Sequence, residues 1–484
     1  MRPKVSFLDD DLKTRIIDEA RHLLCTLGVE VHNPEVLGLL GDHGAEVDLS
    51  KEHVRLTGDL IDGALATVPN GFKLYDVAGR QTHDLSGDNV HFTPSSAAIN
   101  VLDNGVIRKP DTNDYVRYSK LMGSMQHIQA SSTAFIPADV TEEISDSYRL
   151  YLSLLTCDKP VVTGAFTIRA FDIMRDLQLA VRGSADELKA KPLTVFSACP
   201  TAPIKWSRTT SQNVVDCARL GIPVEFISMP LSGFMAPVTI VGSLIQHTAE
   251  TLSGIVISQL AGPGAPILYG GAPAIFDIRY ETTPMGAVET EMMDCAYSEI
   301  GKHLGMPTQA YTGFSDSKQL DAQAGFETAM GATMAALSGI NSISGPGMLD
   351  FITCMSLEKL VLDNEICGQT LRMVRGIEPR EDFPSTPIFE ELNREHHLLI
   401  ADHTLRHLKD EITFPGPVVD RANSSRWLDE GGLSLYERAN KEVERLVASS
   451  PPSSLPDDVK TELERLMIAE ARQFGMDRLP QLGS

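Results

Sequence analysis

The sequence predicts an α/β fold, a (βα)8 TIM barrel with an N-terminal helical and hairpin extension and a C-terminal helical tail, and three observations carry that reading. Eight short β-rich runs end in small polar residues, each run is followed by a helical pattern, and the 484-residue chain with 42% hydrophobic content is long enough for a barrel with extensions. An open doubly wound sheet is the alternative, and eight units slightly exceed what such a sheet usually carries.

In chain order, residues 1–88 form the extension, 89–376 the barrel and 377–484 the tail. Leu12, Ile16, Ile17, Ala20, Leu23 and Leu24 recur at helical spacing, so residues 8–67 read as short amphipathic helices. Two hairpin-like segments follow, 72–85 and 99–107, the second turning at Asp103-Asn104-Gly105. The eight β-runs span 91–94, 128–135, 161–166, 193–197, 224–228, 267–270, 308–312 and 340–344. Helix boundaries are expected at Thr209/Thr210 and Gly221, across 239–260, at Gly305, at Ser356 before a helix stopped by Gly376, and at Asp316/Ser317 before the run DAQAGFETAMGATMAALSG. Beyond Gly376 prolines punctuate the chain, SSPPSSLP reads as a linker, and a charged helix over 457–474 closes it.

The balance of 65 acidic to 42 basic residues gives a formal net charge of -23, which repels a phosphate backbone and argues against a nucleic-acid partner. The N-terminus turns acidic where a signal peptide needs an apolar core, and no run approaches the roughly 20 apolar residues of a membrane span. A cytoplasmic protein without a membrane partner is expected. Seven scattered cysteines without a CxxC pair fit reduced, buried thiols.

In a parallel barrel the chemistry sits at the carboxyl ends of the strands. Those ends read Thr93 to Ser96, Ser131 to Thr133, Thr163 to Ala165, Ser197 to Cys199, Ser228, Tyr269 to Gly271, Thr312 to Asp316 and Ser344 to Gly347. Nearly all are small, which leaves a roomy mouth. Glu250 shares a helix face with His247 and reads either as a solvated surface acid or as the counter-charge of a cation site. Lys318 invites a Schiff-base lyase or aldolase, although it sits in a polar loop with Asp316 and Asp321. His403 and His407 have the i, i+4 spacing of a zinc site, but no HExxH motif or cysteine pair accompanies them, so no metal is assigned. Neither GxxxxGK[ST] nor GxSxG occurs.

The strings SLIQHTAETLSGIVISQLAGPGAPILYGG, ETEMMDCAYSEIGKHLGMP, TGFSDSKQLDAQAGFETAM and LEKLVLDNEIC closely resemble the trimethylamine methyltransferase (MttB) superfamily, and the resemblance continues to VVDRANSSRW at 418–427. It implies a barrel that presents a methylated amine to a separate corrinoid protein, with cobalamin brought by that partner and no tightly bound cofactor in this chain. The founding enzymes carry pyrrolysine late in the barrel; standard residues fill 338–351 here, as in the branch that includes glycine betaine methyltransferase. That branch holds the substrate carboxylate with a histidine where Ser344 stands, so a different quaternary amine, or a tertiary one, is the expected substrate.

A quaternary ammonium already leaves as a neutral amine, so the protein need only bind the cation and aim it, with aromatic faces and a carboxylate. The resemblance and these requirements name Glu250 as the catalytic residue, the carboxylate that balances the cation, with Ser95, Tyr269, Phe314, Asp316, Gln323, Ser344 and Phe351 around the substrate. A homo-oligomer is expected, and a non-catalytic binder of quaternary amines is a further alternative.

Overall fold

The computed structural model describes residues 2–482. Every β-rich run contains a strand: β1 (His91–Thr93), β2 (Ser131–Ser132), β3 (Val161–Thr163), β4 (Thr194–Ala198), β5 (Val224–Ser228), β6 (Ile267–Gly271), β7 (Gln309–Tyr311) and β8 (Ser342–Ser344). Each precedes a long helix: α1 (Thr112–Ser124), α2 (Ser145–Thr156), α3 (Ile168–Arg182), α4 (Arg208–Leu220), α5 (Ile240–Ala261), α6 (Val288–His303), α7 (Ala322–Leu337) and α8 (Leu357–Val374). The fold is α/β.

The strands pair in parallel, in the order β6-β5-β4-β3-β2 in one sheet and β7-β8-β1 in another. A parallel bridge joins Tyr269 of β6 to Thr308 at the start of β7. At the other end, Gln129 N–H donates to Phe92 O at 3.0 Å and Ala97 N–H to Thr133 O at 3.1 Å, which ties β1 to the β2 segment.

Side chains alternate between two faces, as strand geometry requires. Phe196 of β4 meets Phe171 of α3 edge-on at 5.5 Å, and Phe226 of β5 meets Trp206 at 6.1 Å, so these residues point to the helical layer. Val162, Val195 and Leu268 point the other way, where Leu74 and Leu85 pack against them. Those two leucines belong to the expected hairpin, Lys73–Tyr75 with Gln81–Asp84, which covers the inner face near the amino ends of the strands.

The second hairpin, Asn100–Asp103 with Val106–Arg108, turns at Asn104 (φ 48°) and Gly105 (φ 78°). Both lie in the left-handed region, as a two-residue turn between twisted strands demands.

Three differences from the sequence reading have physical causes. The N-terminal region holds helices Asp10–Thr26, Pro34–Asp42 and Gly58–Leu65, but also three-residue strands Val29–Val31, Glu46–Asp48 and His53–Arg55, which pair with Lys205–Trp206 in a four-stranded sheet. Strands that short leave no readable alternation. Ser207, not Thr209 or Thr210, caps α4, because its hydroxyl accepts from the Thr210 amide. Helix α5 begins one residue later than expected, with Thr239 as its cap, and it is apolar enough, by length and composition, to cross a membrane. Most of it is buried inside the protein, between the strands and neighbouring helices, which accounts for its apolar faces.

Beyond Gly376 lie Thr386–Glu395, Asp402–Glu411, Ser424–Asp429, Leu435–Ala448 and Asp457–Gln473. The fourth packs on α8 and α1, and the fifth on α3 and α2, whereas the first three bury no residue.

Candidate functional site

Two of the expected site residues lie in the helical layer. Glu250 of α5 is fully buried and accepts hydrogen bonds from the Ile204 amide at 3.0 Å, Ser228 Oγ at 2.6 Å and Gln246 Nε2 at 3.0 Å. Burial raises its carboxyl above the ordinary value, and the three donors pull it back. It is neither a solvated surface acid nor a carboxylate in search of a partner. Tyr269 donates to Thr248 Oγ1 at 3.0 Å, and its ring tilts against His247 and Tyr297. His247, stacked on Tyr297 at 4.2 Å, is pushed down to about 3 by burial and stays neutral. Because Ser228 and Tyr269 point outward from β5 and β6, the groups they meet are on helices.

The inner face presents a different set: Ser95, Ser197 and Ser344 were read at the strand ends from the sequence, whereas Glu225, Gln309 and Tyr311 were not singled out. Glu225 lies in register with Ser197 of β4 and Leu268 of β6, so it shares the inward side. Its side chain is fully buried; Ser197 Oγ donates to Oε1 at 2.6 Å, and Oε2 has no partner. Burial pushes this carboxyl up to about 7, against the lowering effect of Ser197. Tyr311 of β7 faces the same space: its hydroxyl meets Ser96 Oγ at 3.3 Å, and burial first, then the Glu225 charge, raises its phenol. Gln309, two residues before Tyr311 on the same face, leaves Nε2 unpaired, as Ser344 and Ser95 leave their hydroxyls.

Above this floor the strand ends are small, as the sequence indicated. Ser96, Ala97, Gly164, Ala165 and Ser197 are partly accessible and Cys199 is exposed. Partly accessible small residues over an unpaired buried acid suit a cation.

The loop after β7 holds a second group of acids. Asp316 accepts from the Gly286 amide at 2.8 Å and is pushed up to about 6, chiefly by burial. Glu327 of α7 takes Ser315 Oγ at 2.5 Å, the Asp316 amide at 2.9 Å and Gln323 Nε2 at 2.9 Å. Thus Asp316 and Gln323, both expected at the site, meet through Glu327. Glu291 of α6 is pushed up to about 8 by burial and by the charges of Glu327 and Asp316. The cap of α7 is Asp321, which accepts from the Ala324 amide at 3.0 Å, so the expectation that Asp316 and Ser317 cap it is corrected; Asp316 turns back to the loop before α6. Close passage of this loop also demands Gly345, where a Cβ would collide with the Thr312 carbonyl.

Phe314 is buried in the main core. Phe351 already carries a cation: Lys318 Nζ stands 4.1 Å from its ring centroid while donating to Asp316 O at 2.8 Å and lying 3.6 Å from Asp350. Asp350, Phe351 and Ile352 all have φ between 50° and 58°, a left-handed run pinned by the Asp350 amide on Ser317 O. So placed, Lys318 ties two rim loops together, and a role as a Schiff-base amine loses its support. His403 and His407 are edge-on neighbours at 4.9 Å, and among the described residues no group of His, Cys, Asp and Glu is arranged to hold a metal.

The profile of the family described as "Trimethylamine methyltransferase (MTTB)" matches residues 1–475. The chain is 27% identical to "Trimethylamine methyltransferase MttB" of Desulfitobacterium hafniense, with 93% of this chain and 91% of that protein covered. It is 26% identical to "Glycine betaine methyltransferase" of the same species, covering 98% of each, and 28% identical to "Trimethylamine methyltransferase MttB" of Methanosarcina barkeri, covering 97% and 95%. Among solved structures, the Methanosarcina barkeri monomethylamine methyltransferase (MtmB) aligns at TM-score 0.54 and 12% identity, over 92% of this chain and 89% of that one, a likeness of fold.

Proposed function

The chain belongs to the trimethylamine methyltransferase family, and from that premise we propose that it moves a methyl group from a small methylated amine, with a betaine-like quaternary amine as first choice, to a separate corrinoid protein. The full-length family match is the observation that carries this reading. The partner's corrinoid, in its Co(I) state, would supply the nucleophile; the small, partly accessible residues at the strand ends, Ser96, Ala97, Gly164, Ala165 and Ser197, with exposed Cys199, suit the approach of a bulky macrocycle. The chain itself binds the cation, points one N-methyl carbon outward and keeps water from the ammonium, so that the C–N bond breaks with its electron pair left on a neutral amine.

The eight strands close as a (βα)8 barrel in this reading, which the Tyr269–Thr308 bridge and the Gln129 and Ala97 hydrogen bonds support. Residues 1–88 cover it and 377–484 extend it. Ser95 and Ser344, with unpaired hydroxyls, touch the substrate; Asp316, Gln323 and Phe351 shape the rim through Glu327 and Lys318, and Phe314 supports it from below. Glu250 and Tyr269 brace β5 and β6 against α5. Seven free cysteines support a reducing, cytoplasmic setting, and exposed Phe389 and Leu405 on the C-terminal helices support a homo-oligomer.

The test is incubation with a cognate corrinoid protein held as Co(I) and a panel of betaines, tetramethylammonium and trimethylamine. The expected result is a change in corrinoid absorbance matched by one equivalent of demethylated amine. No change with any of them overturns the proposal.

A further inference from the structure

Among the buried acids, Glu225 differs from Glu250 in one respect that matters for a ligand. Both are fully buried, but the protein satisfies both oxygens of Glu250 and only one of Glu225. A buried carboxylate oxygen without a donor is costly unless something outside the chain compensates it. Glu225 stands on the inner face, level with partly accessible Ser197, below exposed Cys199 and beside Tyr311, where the strand ends are small.

We infer that Glu225 supplies the negative charge that holds the substrate's ammonium group over the inner face of the strands, with the Tyr311 ring beside it, an assignment that rests on the methyl transfer proposed above. A quaternary ammonium has no N–H to donate. What it takes from a site is charge and contact with aromatic and aliphatic surface, so a carboxylate one layer beneath the floor serves it, undiluted by water. Ser197 fixes one oxygen of the carboxylate and leaves the other without a donor. Gln309 Nε2 and the Ser344 hydroxyl, unpaired on the same face, add donors that suit an acceptor group elsewhere on the substrate. The ligand class is therefore a fixed cation, and a zwitterion of the betaine type uses the site more fully than a simple tetraalkylammonium.

Glu225 must be ionised to act in this way. The titratable groups facing it are the Cys199 thiol, from the loop after β4, and the Tyr311 phenol of β7; desolvation first and the Glu225 charge second raise both, so both are neutral near pH 7. With Glu225 itself pushed up to about 7 by burial, cation binding is coupled to loss of its proton.

The experiment is calorimetric titration of the full chain with tetramethylammonium and with glycine betaine at pH 6 and pH 8, for the wild type, Glu225→Gln and Ser197→Ala, alongside the uncharged carbon isostere 3,3-dimethylbutanol. The expected result is roughly tenfold tighter cation binding at pH 8 than at pH 6 in the wild type. Glu225→Gln should weaken cation binding by about tenfold or more, abolish the pH dependence and leave the isostere unchanged. Ser197→Ala, which keeps the charge but removes a stabilising hydrogen bond, should move the pH dependence upward, and it keeps the test alive if Glu225→Gln does not fold. Unchanged cation affinity in Glu225→Gln, or an unmoved profile in Ser197→Ala, overturns the assignment. Methyl transfer by the wild type with an unchanged KM in Glu225→Gln overturns it while leaving the proposed reaction standing; Glu225-dependent cation binding without methyl transfer to any corrinoid partner does the reverse.

Discussion

Glu225 of β5 and Glu250 of α5 are both at 0% exposure, and they lie on opposite sides of the same strands. Glu250 closes a network of three donors from β5, α5 and the loop before α4. Glu225 is held by one hydroxyl and has an oxygen to spare. The first arrangement is what a chain does with a carboxylate that stiffens it, and the second is what it does with one that waits for a ligand. Burial alone does not tell a brace from a site; the count of satisfied lone pairs does.

Substitutions separate the two roles. In methyl-transfer assays Glu225→Gln should lower kcat/KM by about a hundredfold, mostly through KM, because the lost charge contributes to binding in ground and transition states alike. Its melting temperature should change little or rise. Glu250→Ala should instead destabilise the fold by about 3 kcal/mol, since it strands the Ile204 amide, Ser228 and Gln246 in a buried layer. Chemical denaturation checks this, and the protein that remains folded should keep its KM.

A pH series sharpens the contrast. Glu225 is held near 7 when folded and titrates in the ordinary carboxylate range, about 4.3, when unfolded. Between those values the folded chain binds more protons than the unfolded chain, so its contribution to stability is complete below about pH 4.3 and is lost as the pH rises through 7. The loss amounts to about 4 kcal/mol at about 1.4 kcal/mol per unit. Asp316 and Glu291, also raised, act in the same direction. Scanning calorimetry of the free protein should therefore show the melting temperature falling from pH 5 to pH 8, less steeply in Glu225→Gln, with glycine betaine restoring part of the loss at pH 8.

The smallest effect belongs to Tyr269→Phe. Loss of its hydrogen bond to Thr248 should cost about 1 kcal/mol in denaturant titration and leave methyl transfer unchanged. A large rise in KM for this variant would place Tyr269 with the substrate after all.

The eight strand runs were legible because each is a short β-rich stretch punctuated by small residues and followed by helical spacing, and all eight contain strands. The N-terminal sheet was not, because three-residue strands such as Val29–Val31 show no period. The site was harder for a related reason. Sequence gives the alternation of a strand but not which set of residues faces inward, and a one-residue shift exchanges the faces. Ser228 and Tyr269 stand near strand ends and looked like rim residues, yet they point to helices; Glu225, the lone acid of VEFIS, carried a readable signal in the middle of an apolar strand. Only the pairing of Glu225 with Ser197 and Leu268 shows its side. Lys318 and Phe351, 33 positions apart by their numbers, meet only once both loops are folded.

The most direct measurement is side-by-side steady-state methyl transfer from glycine betaine, or whichever amine of the panel the wild type prefers, to the Co(I) corrinoid partner, for the wild type, Glu225→Gln and Glu250→Gln at pH 7.5. Glu225→Gln should show a KM raised by at least about tenfold with a folded protein, and Glu250→Gln a KM close to the wild type with a lowered melting temperature. The opposite pattern, a normal KM without the Glu225 charge and a raised KM without the Glu250 charge, would contradict it.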